Sequence, residues 1–302
     1  MASIAKPASS FSMSSVAKAF LPVTVRRVVA GAVTEESPDV LAVEEPLEIR
    51  LGFPGGGHRA ISITMRTPGD DAELAAGFLF TEGILNSPNQ IRQIRHCGLK
   101  IGKGSSVVDR AAALNSNTIR VDLEEGVDVE LKGLERNFYT TSSCGVCGKS
   151  SIEALHTGAK KFADGDHPKI DADLIHLLPE RLRSSQDVFD QTGGLHASAL
   201  FSRDGEITIV REDVGRHNAL DKVIGAQFLA DRLPLSEEIL LVSGRVSFEL
   251  VQKALMAGIR ILVAVGAPSS LAVELAKEFG MTLVGFVRDG SFNVYSCPQR
   301  VV

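Results

Sequence analysis

Ile239-Leu-Leu-Val-Ser-Gly-Arg-Val-Ser-Phe-Glu-Leu-Val-Gln-Lys-Ala-Leu-Met256 indicates the architecture of the chain, because its hydrophobic pattern changes halfway along. Ile239–Val242 is a short apolar run, typical of a fully buried strand. From Val246 to Met256 the apolar residues recur every three or four positions, as on one face of a helix. The stretch therefore predicts a buried strand followed by a helix, the repeating unit of an α/β sheet.

The same alternation continues on both sides of this unit. The further predicted strands are His196–Phe201, Glu206–Arg211, Ile261–Val265, Thr282–Val287 and Phe292–Tyr295. The further predicted helices are Asp213–Gly225 and Ser270–Phe279. A hairpin followed by alternating strands and helices predicts an α/β domain with a mixed sheet between helical layers, which we assign to residues 191–302.

The first half of the chain predicts a smaller α+β domain over residues 23–165. Its predicted strands are Val23–Ala30, Pro46–Leu51, Ala60–Met65, Ile91–Arg95 and Thr118–Val121, with a polar turn at Glu35–Asp39. A helix capped by Asp70 or Asp71 is expected to end near Gly83. Residues 1–22 are predicted to be a disordered N-terminus. Residues 166–190, which contain prolines and a helical stretch at 171–178, are predicted to connect the two domains.

Three loops follow the carboxyl ends of the predicted parallel strands. They are Ser243-Gly-Arg-Val-Ser247, Gly266-Ala-Pro-Ser-Ser270 and Phe286-Val-Arg-Asp-Gly-Ser291. Ligands of open α/β sheets bind outside the carboxyl ends of the strands. Two of the loops lead into helix N-termini and two carry an arginine, which favours a phosphate-bearing ligand. Ordinary capped turns are the alternative, because no loop matches a known phosphate-binding fingerprint.

Two histidines occur among the elements of the same domain. Asp213 and His217 are either a catalytic pair or a helix-start cap with a neighbouring imidazole, and the sequence leaves that choice open. His196, which follows the pair Gly193 and Gly194 closely, is expected to be structural.

The segment Thr140-Thr-Ser-Ser-Cys-Gly-Val-Cys-Gly-Lys149 carries a Cys-x-x-Cys pair, Cys144 and Cys147, between glycines. A helix is predicted directly after it, over Ser150–Phe162. A helix N-terminus and a lysine beside a thiol lower its pKa and increase the thiolate fraction. We interpret the pair as a reactive thiolate that carries a covalent group, as a persulfide or an acyl group.

Three other interpretations of the pair remain. A zinc half-site needs two further ligands, and Cys97 and Cys297 are isolated, so a histidine such as His156 would have to complete it. A dithiol–disulfide switch normally follows a strand within a short βαβ unit, whereas the residues before this pair resemble a loop. Purely structural thiols are rarely surrounded by glycine, serine and lysine.

The composition is that of an ordinary globular protein. Of its 302 residues, 44% are hydrophobic and 23% are charged, and the formal net charge is −5. A negative net charge argues against nucleic-acid binding, so local groups must hold any anionic ligand. The four cysteines do not form a disulfide framework in a chain of this length, which favours a reducing, cytoplasmic location. No apolar run is long enough to cross a membrane.

Together, these segments resemble the FdhD/NarQ family of formate dehydrogenase accessory proteins. The matching segments are Pro68–Gly83, Ser143–Gly148, Thr192–Ala197, Glu212–Lys222, Ser243–Lys253 and Leu283–Gly290. They occur in the order of the family and extend the resemblance from about residue 23 to the end of the chain. A Cys-x-x-Cys pair alone is weak evidence, whereas this ordered set is specific.

The resemblance implies a sulfur carrier, that is, a sulfurtransferase with a cysteine persulfide intermediate. An IscS-like cysteine desulfurase would pass sulfur to Cys144, next to Cys147. The carrier would deliver it to the molybdenum cofactor, Mo-bis(molybdopterin guanine dinucleotide), before that cofactor enters formate dehydrogenase. The nucleotide part of the cofactor, for which GDP is a partial mimic, would contact Phe286, Val287, Arg288, Asp289, Gly290 and Ser291.

The resemblance also implies a cytidine deaminase-like fold for the C-terminal domain, and a homodimer is the expected assembly. This fold raises the alternative of a zinc deaminase that acts on a nucleobase. Such enzymes need a His- or Cys-x-Glu stretch and a Pro-Cys-x-x-Cys stretch on successive helices. The helix starts Asp213–His217 and Ser243–Ser247 lack these ligands, so no metal site is predicted. A zinc-binding or redox adaptor without sulfur transfer is a further alternative.

Overall fold

The computed structural model describes residues 19–29, 31–97, 117–129, 159, 161–162, 168–288 and 290–302. Its strands are β1 (Phe20–Val29), β2 (Ala32–Ala42), β3 (Glu45–Gly52), β4 (His58–Arg66), β5 (Ile91–His96), β6 (Thr118–Leu123), β7 (His196–Phe201), β8 (Ile207–Asp213), β9 (Ile239–Val242), β10 (Ile261–Ala264), β11 (Thr282–Arg288) and β12 (Ser291–Ser296). Its α-helices are α1 (Asp71–Thr81), α2 (Ala172–Arg183), α3 (Asp187–Thr192), α4 (Arg216–Leu229), α5 (Phe248–Met256) and α6 (Ser270–Phe279). None of these helices is long and apolar enough to cross a membrane.

The C-terminal half is built on a six-stranded sheet with the order β12-β11-β10-β9-β7-β8. β9, β10 and β11 are parallel, whereas the strands at both edges are antiparallel to their neighbours. Successive strand residues face opposite sides, so Leu240 and Leu262 pack with α4, α5 and α6, while Leu241 and Val263 pack with α2. The predicted mixed sheet between helical layers is confirmed. The likeness to cytidine deaminase stays a prediction.

The predicted connection, residues 166–190, contains α2 and the start of α3. Ile175, Leu178 and Leu182 of α2 are buried against the six-stranded sheet. The helix contains Pro179, and its N-cap residue Asp171 accepts a hydrogen bond from the Asp173 amide at 2.8 Å. This part of the chain therefore supplies one of the two helical layers of the C-terminal sheet.

A four-stranded sheet with the order β4-β3-β6-β5 forms the N-terminal half, and the predicted β3–β4 hairpin is present. The predicted turn at Glu35–Asp39 is wrong, because these residues lie in β2 and pair with β1; Asp39 is opposite Val23. Strand pairing outweighs the turn propensity of the local sequence here, and Pro38 is tolerated because a two-stranded ribbon has open edges. β1 begins at Phe20, whereas the folded part was predicted to begin at Val23.

The two halves share one hydrophobic core, which the contact between α1 and α4 organises. Gly77 of α1 and Gly225 of α4 lie at the crossing. A Cβ at Gly77 would overlap the carbonyl oxygen of Asp221, and a Cβ at Gly225 would overlap that of Glu73. Only glycine lets the two helix backbones approach this closely.

Charged side chains surround the crossing and are paired across it. Glu73 of α1 accepts a hydrogen bond from Arg211 Nη2 at 2.7 Å, although Glu73 was not singled out in the sequence. Asp70 is the N-cap residue of α1, as predicted, but it adopts the left-handed conformation with φ 55° and its side chain makes no capping hydrogen bond. Its carboxylate lies 3.5 Å from Arg211 Nε instead. Asp71 is not a cap, because Arg66 binds its carboxylate through Nε and Nη2 at 3.0 Å.

Replacing Gly225 by alanine tests the crossing. Because the added methyl group meets backbone and not a movable side chain, we expect Gly225→Ala to lower the free energy of unfolding by about 3 kcal/mol or more. Urea unfolding, followed by circular dichroism, measures the loss. Gly194→Ala is the matched control, since its nearest neighbours lie 3.8 Å away and beyond, and it should change stability by less than about 0.5 kcal/mol. Equal midpoints for the two variants would contradict the close crossing.

Candidate functional site

The turns after β9 and β10 meet at the carboxyl edge of the six-stranded sheet. The amide of Val246 donates to the carbonyl of Ala267 at 3.0 Å, and the amide of Ser269 donates to the carbonyl of Val246 at 2.9 Å. A Cβ at Gly266 would lie 2.7 Å from the carbonyl oxygen of Gly244, so a glycine is needed where the turns touch. Two of the three predicted loops are therefore held together as one surface.

The third predicted loop joins this surface through Phe286. Its amide donates to the carbonyl of Gly266 at 3.2 Å. Phe286 has φ 57°, a left-handed conformation that is strained for a bulky residue and is found mainly at functional positions. The guanidinium of Arg288 lies 5.5 Å from the centre of the Phe286 ring, and Arg288 is exposed. An aromatic face and a cation are thus presented together at the edge.

The other residues of this loop that were predicted to contact a ligand differ in which of their groups can do so. Val287 is buried in the core, so only its backbone faces a ligand. Gly290, with φ 70°, forms the turn to β12, and Ser291 Oγ donates to the carbonyl of Arg288 at 3.2 Å. Asp289 lies outside the described residues.

The N-termini of α4 and α5 open towards each other beside this edge. Gly215, the N-cap residue of α4, has no side chain that could cap the helix, whereas in the first turn of α5 the carboxylate of Glu249 accepts hydrogen bonds from Ser247 and from its own amide. Ser247 Oγ is also 3.1 Å from His217 Nε2. Arg216 begins α4, and its Nε is buried without a hydrogen-bond partner. Free helix amides and a cation are the groups that hold phosphate and other anions.

Both histidines of this region, His217 and His196, have a lowered pKa, which favours their uncharged form. Burial, followed by the charges of Arg216 and Lys253, lowers the pKa of His217 from 6.5 to about 4. Burial, followed by the charges of Arg216 and Arg245, lowers the pKa of His196 as well. The positive charge at this edge therefore belongs to arginines, and the imidazoles are neutral hydrogen-bonding groups.

Asp213 has a structural role, but it is not the predicted cap: the N-cap residue of α4 is Gly215, and no side chain caps this helix. Asp213 is fully buried and lies 2.7 Å from Lys222 Nζ. It also accepts hydrogen bonds from the Gly215 amide at 2.8 Å and from Asn218 Nδ2 at 3.0 Å. His217 contacts Ser247 and not Asp213. Asp213 therefore fixes the turn before α4.

A cavity of about 540 Å³ opens next to the same edge. It is lined by Pro179, Leu182, Arg183, Gln186, Phe189, Gly193, Gly194, Leu195, His196, Ser243 and Val265. His196, predicted to be structural, lies in its wall. Arg183, Gln186 and Phe189 were missed, because their segment was assigned to a connection between domains. The only sequence signal was the neighbouring Thr192–Ala197 motif.

Cys144 and Cys147 lie outside the described residues. The described residues on either side, Val129 and Ala159, pack against the shared core. Phe162 was predicted to end a helix, but it is not helical, and its amide donates to the carbonyl of Phe279 at 3.0 Å. The segment that carries the pair is thus anchored in the core on both sides.

Among the described residues, no three of the side chains of His, Cys, Asp or Glu are close enough to hold a metal ion together. His217 and Ser247 occupy the helix starts at which the deaminase alternative requires zinc ligands, and Arg216 lies beside them. A cation is not favoured next to this arginine.

Three comparisons with known proteins bear on this site. The sequence model of the FdhD/NarQ family matches residues 42–302. The "Sulfur carrier protein FdhD" of Streptomyces avermitilis is 51% identical over 278 residues, which cover 92% of this chain and 94% of that protein. The protein of the same name from Sulfolobus acidocaldarius is 44% identical over 268 residues, which cover 88% of this chain and 92% of that protein.

A crystal structure from Desulfotalea psychrophila, described as a formate dehydrogenase accessory protein, is similar in fold. It matches with a TM-score of 0.68 and 25% sequence identity, over 94% of this chain and 100% of that one. The similarity therefore extends over both halves of the chain.

The pKa of His217 predicts a pH-dependent stability. The pKa of His217 is lower in the folded protein than the ordinary value of 6.5. Its contribution to the free energy of unfolding is therefore present above pH 6.5 and is lost as the pH falls towards about 4. The loss amounts to at most about 3 kcal/mol. We expect His217→Gln, which can retain the hydrogen bond to Ser247, to make the free energy of unfolding depend less on pH in this range. Urea unfolding at a series of pH values measures this dependence, and identical slopes in parent and variant would contradict a neutral, half-buried His217.

Proposed function

Since this chain belongs to the FdhD/NarQ family, we propose that it is a sulfur carrier that serves formate dehydrogenase, with Cys144 as the residue that carries the sulfur. The observation that carries the proposal is the match of the family to residues 42–302, which include Cys144 and Cys147. The donor is a cysteine desulfurase and the recipient is the molybdenum cofactor with its guanine dinucleotides. A homodimer is part of the same proposal.

The loading step is a thiol–sulfur exchange. The thiolate of Cys144 attacks the terminal sulfur of a persulfide on the desulfurase. A bond forms between Cys144 Sγ and that sulfur, the sulfur–sulfur bond of the donor breaks, and the donor cysteine leaves as a thiolate. No net oxidation or reduction occurs, so this step needs no further reactant.

Cys147 releases the carried sulfur as sulfide. Its thiolate attacks Cys144 Sγ, a Cys144–Cys147 disulfide forms, and the terminal sulfur leaves as hydrosulfide. The thiol sulfur of Cys147 is oxidised to the disulfide level and the terminal sulfur of the persulfide is reduced to sulfide, while Cys144 Sγ keeps its oxidation level, so the electrons balance. A dithiol reductant must then reduce the disulfide before the next cycle.

The anchoring of the cysteine segment is compatible with delivery to the carboxyl edge of the six-stranded sheet. Phe162 is bound next to Gly280, which precedes β11, and therefore lies at the opposite edge. Phe162 lies fifteen residues after Cys147, and this part of the chain spans up to about 50 Å when extended. The strand β10, of four residues, is only about 13 Å long. The length of the chain therefore allows the thiols to reach either edge.

The carboxyl edge suits the nucleotide part of the cofactor. Arg245 and Arg288 are exposed there, and the open N-terminus of α4 adds further anion-binding groups. Phe286 offers a face against which a base can stack. Because the formal net charge of the chain is −5, these local groups have to supply the attraction for phosphate.

Cys144→Ala tests the sulfur carrier. After incubation with a cysteine desulfurase and cysteine, intact-mass spectrometry should find the parent protein heavier by one sulfur atom and the variant unchanged. Cys97→Ala and Cys297→Ala are matched controls and should still be loaded. Maturation of formate dehydrogenase at the parent level by Cys144→Ala would contradict the assignment. Stoichiometric zinc that depends on Cys144 would favour the metal-binding adaptor.

Arg288→Ala and Arg245→Ala test the nucleotide site. A charge-assisted hydrogen bond contributes about 1.5–3 kcal/mol, so each change should raise the Kd for GDP by about ten- to a hundredfold. Isothermal titration calorimetry measures the Kd. Arg203→Ala is the control, because Arg203 lies in the β7–β8 turn at the opposite edge and is paired with Glu237. Unchanged affinity in the first two variants would remove both arginines from the site.

A further inference from the structure

The strands β1 and β2 form a two-stranded ribbon that is separate from both larger sheets. They pair from Phe20 opposite Ala42 to Val29 opposite Ala32 and, within the described part of the chain, with no other strand. The ribbon is about 33 Å long, because β1 has ten residues. A two-stranded ribbon alone is only marginally stable in water, so further packing has to support it.

One face of the ribbon is held by the body of its own chain. Phe20 and Ala42, which are directly opposite each other, pack against the buried side chains of Val188 and Leu195. Residues opposite each other in an antiparallel pair have their side chains on the same face. This contact therefore defines the inner face of the ribbon.

The outer face of the ribbon is apolar and exposed. Leu21 and Leu41 are the next residues along the two strands, they are opposite each other, and they are 53% and 48% exposed. Because side chains alternate along a strand, Val23 and Val25 follow Leu21 on the same face. This face points away from the body of the chain. A continuous exposed apolar surface of this kind is typical of a contact with another macromolecule.

A second ribbon of the same kind fits this face. A two-fold axis parallel to the strands sets β1 of one copy over β2 of the other. Leu21 then lies over Leu41 of the partner subunit, and Leu41 lies over Leu21 of the partner subunit. The four leucines form one apolar cluster around the axis, as an isologous interface requires.

The charges of the two strands favour this orientation of the axis. β1 carries Arg26 and Arg27, whereas β2 carries Glu36 and Asp39. With the axis parallel to the strands, the basic strand faces the acidic one. With the axis across the strands, each strand would face its own copy, and the opposition of like charges would disfavour association. Arg26 already pairs with Glu36 within the ribbon at 3.2 Å, so the charges select the orientation more than they add affinity.

We propose that two copies of the chain associate through the outer faces of their ribbons, with Leu21 and Leu41 of both copies at the centre. The proposal rests on the homodimer of the proposed function and assigns its interface. A face about 33 Å long and about 10 Å wide covers about 330 Å² per copy. Stable dimers bury about 800 Å² per copy, so this contact gives a weak dimer that forms as the protein concentration rises.

Sedimentation velocity over a series of protein concentrations tests the interface. The parent should convert from monomer to dimer. Leu21→Glu and Leu41→Glu each place a charge in the leucine cluster and should raise the dimer Kd about tenfold or more. Leu21→Thr keeps the strand propensity and should also raise this Kd, so the test stays valid if the glutamate variants do not fold. Thr24→Glu is the matched control and should leave the Kd unchanged, because Thr24 is exposed on the inner face.

The outcomes separate this interface from its alternatives. A dimer that persists unchanged in both glutamate variants overturns the interface alone, whereas a parent that stays monomeric overturns the homodimer as well. If the parent is monomeric and Leu21→Glu prevents sulfur loading by the desulfurase, the face binds the donor and the proposal is wrong. If dimers form only after residues 1–18 are deleted, that segment covers the face and the proposal is also wrong. Sulfur loading of Cys144 in the unaltered protein is measured separately, so the sulfur carrier can hold while the interface fails.

Discussion

The close contact between Gly77 and Gly225 sets the distance between α1 and α4, and the buried charges of the protein depend on that distance. At this separation Asp221 of α4 lies 2.9 Å from the hydroxyl of Thr81 on α1, and Lys253 of α5 reaches both residues. Removing one member of such a group would leave a buried charge unpaired, which costs several kcal/mol. The close approach of the two glycines and the buried ion pairs therefore depend on each other, because the charged groups meet only at this separation of the helices.

This constraint extends to the candidate site through α4 and α5. Lys222 of α4 binds Asp213, which fixes the turn that places Arg216 and His217 at the start of the helix. Lys253 ties α5 to the same helix pair, and the contact between His217 and Ser247 joins the two N-termini. The two helix ends are thus positioned by packing that lies in the shared core and not by the loops around them.

The sequence predicted the elements of the C-terminal sheet well, because Ile239–Val242 and its neighbours are short apolar runs that end at turn residues, the pattern typical of buried strands. It failed where the fold overrides local preference. Asp70 is the N-cap residue of α1, but its side chain does not bind the helix amides, because its backbone is left-handed and its carboxylate faces Arg211. The sequence did not predict the cavity. Gln186 lies shortly after Pro179, and a proline in a polar stretch is typical of a linker, so this segment was assigned to the connection between the domains. Only packing of α2 on the sheet brings Gln186 to His196.

The electrostatics of the edge favour an anion over a metal ion. A metal site in this position would need negative or neutral donors that face each other and no cation nearby. Arg216 lies directly before His217, and its charge contributes to holding the pKa of both His217 and His196 below the ordinary value. Neutral imidazoles then neither repel nor neutralise the arginines, so the field of these arginines remains available to a ligand. In a chain of negative net charge, such a local field favours the phosphate groups of a nucleotide over any cation.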